Sequence, residues 1–104
     1  MSLIEKINIE LKEAMLIKDK SKLESLRAIK TSLTLHKISI SSDNSVTKED
    51  EIKILQKLVK QRRESANIYI NQNRSDLAQI EEAQADFIST FLPEQLTNQE
   101  IEAI

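Results

Sequence analysis

Apolar residues recur every three or four positions along most of this chain, which is the spacing of one face of an α-helix. The first such arc contains Ile4, Ile7, Leu11, Ala14 and Met15. The second contains Leu23, Leu26, Ile29 and Leu33. The third contains Ile52, Leu55, Leu58, Val59, Ala66 and Tyr69. The fourth contains Leu77, Ile80, Phe87, Ile88 and Phe91. No strand-like alternation interrupts these arcs, so the pattern predicts an all-α fold.

Polar segments between the arcs predict where the helices begin. Residues 21–24 have the Ser-x-x-Glu form of a capping box, which predicts the start of the second helix at Ser21. Residues 39–46 are a polar linker. Thr47 and the acidic residues after it predict the start of the third helix, because carboxylates are stabilised near a helix N-terminus.

Two further boundaries complete the predicted order of helices. Residues 71–75 form a polar turn, and Pro93 ends the fourth helix. Residues 97–100 resemble another capping box and predict the start of a fifth helix. We therefore expect one helical domain over residues 1–104, with about four helices plus the start of a fifth. Helices three and four are expected to form an antiparallel hairpin.

Composition narrows the range of functions. The chain has no glycine, which excludes glycine-rich phosphate loops, and no cysteine, which excludes disulfides and thiolate chemistry. It contains no apolar run long enough to cross a bilayer and no secretory signal, so no membrane association is expected. On this basis we expect a cytoplasmic location.

Charge is distributed unevenly along the chain. Residues 1–74 hold 15 basic and 10 acidic residues, whereas residues 75–104 hold 7 acidic residues and no basic one. We therefore expect the basic third helix to pack near the acidic fourth helix. Arg62 falls inside the apolar arc of the third helix, where its charge needs a partner. Glu81, inside the arc of the fourth helix, is the first choice for this structural ion pair.

A second group of basic residues lies on another strip of the third helix. Lys53, Lys57 and Lys60 follow i, i+4, i+7 spacing, and Arg63 lies at the border of the apolar arc. Arg27 and Lys30 of the second helix could extend this surface. The strip is either a solvated helix face or a surface that contacts the phosphates of a nucleic acid.

No catalytic or metal-binding constellation is indicated. His36 is the only histidine, and no Ser, Cys or carboxylate partner can be assigned to it from the sequence. Glu81 and Glu82 are neighbours that point about 100° apart on a helix, so they do not converge on one ion. We predict no catalytic residue, no metal and no cofactor.

Four segments together resemble a known family. They are Leu23-x-x-Leu26-Arg27-x-Ile29, then residues 60–65 (KQRRES), residues 76–78 (DLA) with 81–83 (EEA), and residues 91–96 (FLPEQL). Their order and spacing are similar to those of the YqeY-like proteins. That family is related to the C-terminal region of the GatB subunit of the tRNA-dependent amidotransferase.

The resemblance implies an all-helical fold without its own catalytic centre. In the amidotransferase the related region helps to hold tRNA, so tRNA or a translation-related protein is the implied partner. Family members continue beyond a segment like residues 97–104 into a small helical tail domain, which we expect to be absent or truncated here. The alternative is a helical protein-interaction or assembly module with no nucleic-acid role. An independent amidotransferase or amidase lacks support, because no nucleophile, base and oxyanion site can be assembled from the sequence.

Overall fold

The computed structural model describes residues 2–39 and 46–93 of the chain. Within these ranges it contains four helices and no strand: α1 (Leu3–Ile17), α2 (Lys20–Ser39), α3 (Lys48–Asn71) and α4 (Ser75–Ser89). The predicted all-α class is therefore confirmed. The predicted fifth helix lies outside the described residues.

Side-chain caps explain where three of the helices begin. Ser2 forms a capping box with Glu5 before α1, and Thr47 forms one with Asp50 before α3. The start of α3 was predicted at Thr47. At α2 the carboxylate of Asp19 accepts a hydrogen bond from the Lys22 backbone N–H at 3.1 Å. The helix therefore begins before Ser21, because the acidic residue two positions earlier satisfies the free backbone donor first.

Two short turns contain residues with positive φ. Lys18, at the end of α1, has φ 58°, and Asn73, between α3 and α4, has φ 61°. The Arg74 N–H donates to the Tyr69 carbonyl at 2.8 Å, which closes the second turn. The tight turn brings α4 back against α3, and the contact between these helices is the most extensive in the described part of the fold. The hairpin predicted from the sequence is consistent with this contact.

The remaining helices pack around this hairpin. α1 packs against α2, and α2 contacts both α3 and α4. The buried core draws on all four helices: Ile7, Ala14, Leu26, Ile29, Leu33, Leu55, Leu58 and Ile88. Removing this apolar surface from water is the main term that stabilises the arrangement.

Some positions of the predicted arcs lie outside the core. Met15 of α1 and Ile80 of α4 are exposed, with 59% and 46% of their surfaces accessible. Leu16 and Ile17 are also exposed, so the C-terminal end of α1 presents an apolar surface that no described helix covers. None of the helices in residues 2–39 and 46–93 combines the length and apolar character needed to span a bilayer.

Candidate functional site

Five basic side chains of α2 and α3 form the surface that we call the basic surface. They are Arg27 and Lys30 of α2 with Lys53, Lys57 and Lys60 of α3. All five are exposed, and none forms an ion pair with another described residue. Flexible charges without an internal partner remain available to an external anion.

Two grooves relate the α2 part of the basic surface to the α3 part. One groove is lined by Arg27, Lys30 and Leu35. The other is lined by Leu35 and by Lys57. Leu35 lines both grooves, so Arg27 and Lys30 of α2 and Lys57 of α3 border neighbouring grooves, whereas Lys53 and Lys60 line neither. Leu35 itself is exposed.

Arg63 differs from these five residues. Its guanidinium forms ion pairs with Glu82 and with Asp86 of α4, the second at 3.1 Å between Nη2 and Oδ1. Glu82 and Asp86 are four residues apart and therefore lie on one face of α4. The sequence placed Arg63 at the edge of an RNA-facing surface. Two carboxylates of the same chain engage this guanidinium, and its place at the edge of an RNA-facing surface stays a prediction.

The expected ion pair between Arg62 and Glu81 does not form among the described residues. Within the described ranges, no hydrogen bond or ion pair joins these two side chains, although both line the same groove. Arg62 is half-buried, and its covered Nε has no hydrogen-bond partner. The ion pairs between α3 and α4 are formed one position further along each helix, by Arg63 and Glu82. The rotational setting of the two helices determines which arginine meets the acidic face.

Gln84 is another polar residue in the apolar arc of α4. It is buried, and its Nε2 donates a hydrogen bond to Glu24 Oε1 of α2 at 3.1 Å. A buried amide with a partner avoids the desolvation cost of an unpaired one. This contact connects α2 to α4.

His36 has a partner that the sequence analysis missed. Its Nε2 lies 3.2 Å from Asp50 Oδ2, across the linker between α2 and α3. The contact with His36, followed by the Thr47 hydroxyl, holds the pKa of Asp50 below its ordinary value. The sequence carried only a weak signal for this contact, namely a histidine in the last turn of one helix and a carboxylate in the first turn of the next.

Among the described residues, the His36–Asp50 pair has neither a serine partner nor further metal ligands beside it. No serine hydroxyl there donates a hydrogen bond to the His36 ring, and the Ser39 hydroxyl donates instead to the His36 backbone carbonyl at 2.8 Å. No cluster of three or more potential metal ligands occurs among the described residues. The contact places ionisable groups of two helix ends side by side, but its geometry is not that of a hydrogen bond at His36 Nε2.

Comparisons with known proteins identify relatives over nearly the whole chain. A family model described as "Yqey-like protein" matches residues 4–104. The curated relatives include "Altered inheritance of mitochondria protein 41, mitochondrial" from Clavispora lusitaniae, which is 32% identical over 92 residues. A protein of the same name from Vanderwaltozyma polyspora is 37% identical over 86 residues.

The matches cover most of this chain but only part of each relative. The matches cover 88% and 80% of this chain but 52% and 44% of the two relatives. The chain thus spans about half the length of the curated relatives it matches. Both names contain the word mitochondrial, as does that of a third relative, from Meyerozyma guilliermondii. These names contradict the cytoplasmic location expected from the sequence, because the absence of cysteine and of a secretory signal does not distinguish compartments.

Proposed function

Because this chain belongs to the Yqey-like protein family, we propose that it is a non-catalytic helical module that assists the binding of tRNA. The observation that carries the proposal is the basic surface, whose five cationic side chains are exposed and unpaired with any other described residue. Contact with phosphate requires flexible positive charges on a rigid support, and α2 and α3 provide that support.

The choice of tRNA among nucleic acids rests on the resemblance to the C-terminal region of the GatB subunit. That relationship is part of the proposal. The basic surface by itself supports contact with any phosphate backbone, since phosphate contacts carry no sequence information. A titration should therefore compare tRNA with a duplex RNA of similar length.

The test is a binding titration of the full chain with tRNA over a range of salt concentrations. Each phosphate contact releases counterions, so log affinity should fall linearly with log salt, by roughly 0.7–0.9 in slope per contact. Replacing Lys53, Lys57 and Lys60 together by glutamine should weaken binding and flatten the slope by about 2–3. Helicity should stay the same, because all three side chains are exposed.

A matched control removes the same charge elsewhere. Lys12, Lys18 and Lys48 are also exposed but lie outside the basic surface. Their replacement by glutamine lowers the net charge equally, and the salt slope should change much less. Equal losses in both triple variants would show that net charge alone drives association. No salt-sensitive binding by the unaltered chain would refute the tRNA proposal.

The alternative function, a protein-interaction module, is favoured by the apolar end of α1. Met15, Leu16 and Ile17 are 59%, 81% and 65% exposed, which is unusual for three consecutive large apolar residues. If this function is the correct one, replacing Leu16 and Ile17 by serine should abolish association with a protein partner. The lysine-to-glutamine triple variant should retain that association.

The non-catalytic part of the proposal has a separate test. The purified chain should hydrolyse neither glutamine nor aminoacyl esters above background, because no activated nucleophile is built around the His36–Asp50 contact by the residues that the structure describes. Reproducible glutaminase turnover that disappeared in the His36→Ala variant would overturn this part.

A further inference from the structure

A groove of about 730 Å³ lies where the beginning of α2 meets α3 and α4, and we call it the zwitterion groove. Six of its lining residues carry the argument: Lys20, Ser21, Glu24, Arg62, Glu81 and Gln84. Its volume falls within the range of small-molecule sites in proteins. The residues of the basic surface do not line it.

Two cationic and three acidic residues line this groove, and no ion pair joins any of them to another in the described ranges. Arg62 and Glu81 both line it, yet no hydrogen bond or ion pair joins them in the described ranges. Lys20 is exposed and has no carboxylate partner among the described residues. The groove therefore presents separate positive and negative groups.

Two other carboxylates in the groove wall already have partners. Glu24 accepts the hydrogen bond from Gln84 at 3.1 Å. Asp76 accepts two from Arg74, at 3.2 and 3.1 Å. Glu81 is thus the carboxylate of this wall that has no hydrogen bond from a described residue.

Burial of Arg62 favours a defined position for its charge. Nε is covered by surrounding atoms, which restricts the position of the guanidinium, whereas Nη1 and Nη2 form no hydrogen bond with a described residue. The two terminal nitrogens of a guanidinium match the two oxygens of a carboxylate. A guanidinium held in this way loses less conformational entropy on binding than a fully mobile one.

From this arrangement we propose that the groove binds a small zwitterion of the free α-amino acid class. Arg62 receives the ligand carboxylate and Glu81 receives the ammonium group, and Lys20 lines the same groove. An inorganic phosphate is a poorer match, because its larger negative charge would face Glu24 and Glu81. A simple carboxylate would leave Glu81 without a partner. The proposal is independent of RNA binding, because the two surfaces use different residues.

The test is a nitrogen-15 NMR titration of the full chain with the common α-amino acids, added one at a time. Acetate, inorganic phosphate and a simple diamine serve as probes that carry only one kind of charge. At least one amino acid should shift the backbone signals of Arg62, Glu81 and Gln84 in a saturable way. Each probe with a single kind of charge should bind more weakly than that amino acid.

Variants locate the binding groups. Arg62→Gln and Glu81→Gln should each lower the affinity by about tenfold or more, because each removes a charged hydrogen-bond partner. Arg63→Gln is the matched control: it changes the next residue, which does not line the groove, and should leave the affinity within about twofold of the unaltered chain. Circular dichroism checks that each variant is folded, and Glu81→Gln carries the test if Arg62→Gln is not.

Three results would overturn the proposal. The first is that no amino acid shifts signals of the groove residues. The second is that phosphate or acetate binds as tightly as the best amino acid. The third is that folded Arg62→Gln and Glu81→Gln proteins both retain full affinity. Binding of tRNA has no bearing on any of these results, so the two proposals can fail separately.

Discussion

Two neighbouring strips of α3 carry positive charge in different ways. Lys60 is exposed and has no ion-pair partner among the described residues, whereas Arg63, one turn further along, is held by Glu82 and Asp86 of α4. The two positions belong to the same basic stretch of sequence. The difference shows that the acidic fourth helix neutralises only the strip of α3 that it reaches. The lysines beyond that strip form no ion pair with another described residue.

The largest expected effect on stability comes from a substitution in the core, beneath these strips. Leu55 of α3 is buried, with 1% of its surface exposed, and belongs to the main core cluster. Leu55→Ala should lower the free energy of unfolding by about 2–5 kcal/mol, because it removes apolar contact and leaves a cavity. Chemical denaturation measures the change.

Lys57→Ala is the matched control on the exposed strip, two positions along the same helix. It should change the free energy of unfolding by no more than about 0.5 kcal/mol. A large loss of stability in this variant would mean that the lysine strip supports the fold, and the comparison between the strips would then break down.

A smaller effect should separate the adjacent arginines. Arg63→Met removes two partly exposed ion pairs and should cost about 0.2–1 kcal/mol, with a smaller cost at high salt. Arg62→Met keeps an apolar stem and removes a covered Nε that has no partner, so stability should stay the same or rise by up to about 1 kcal/mol.

Denaturation of both methionine variants at low and high salt tests this contrast. A loss of about 3–5 kcal/mol in Arg62→Met would indicate a buried ion pair of Arg62, as the sequence first suggested. Equal salt dependence of the two variants would show that Arg63 is not the arginine that links α3 to α4.

The smallest effect concerns pH and the beginning of α3. The pKa of Asp50 lies below its ordinary value of 3.8 in the folded protein, chiefly because of the contact with His36. A carboxyl group with a lowered folded pKa stabilises the fold above its unfolded pKa, and this contribution is lost as the pH falls through the folded value. The melting temperature of the unaltered chain should therefore exceed that of Asp50→Asn at pH 5, and the difference should shrink below about pH 4.

Glu49→Gln controls for the loss of one negative charge from the same helical turn. If its melting temperature follows the same pH dependence as that of Asp50→Asn, a general effect of charge near the helix N-terminus accounts for the result. The specific contact between His36 and Asp50 would then be unnecessary.

The sequence was sufficient to predict the helices because each depends on local spacing. The apolar arc of α3 placed Leu55 and Leu58 in the core, and both are buried. Thr47 was identified as a helix start because a threonine at the N-cap and acidic residues in the first turn are signals carried by adjacent residues. At α2, however, Asp19 and Ser21 compete for the same role, and the spacing rule alone did not resolve that competition.

The partners of the charged residues could not be predicted in the same way. Whether Glu81 or Glu82 meets α3 depends on the rotation of one helix about its axis, and adjacent residues differ by about 100°. Sequence periodicity places a residue on its own helix but does not fix that relative rotation. The contact of His36 with Asp50 similarly depends on how the end of α2 lies beside the start of α3.

The hydrogen bond between Gln84 and Glu24 has a consequence for the order in which the chain folds. Its partners are 60 residues apart in sequence, whereas Arg63 and Glu82 are 19 apart. Closing the longer loop costs about 1 kcal/mol more in chain entropy. The hairpin of α3 and α4 can therefore form first at lower entropic cost, and α2 docks on an assembled surface. Substitutions that weaken the contact between α3 and α4 should slow folding, whereas loss of the hydrogen bond between Gln84 and Glu24 of α2 should mainly speed unfolding.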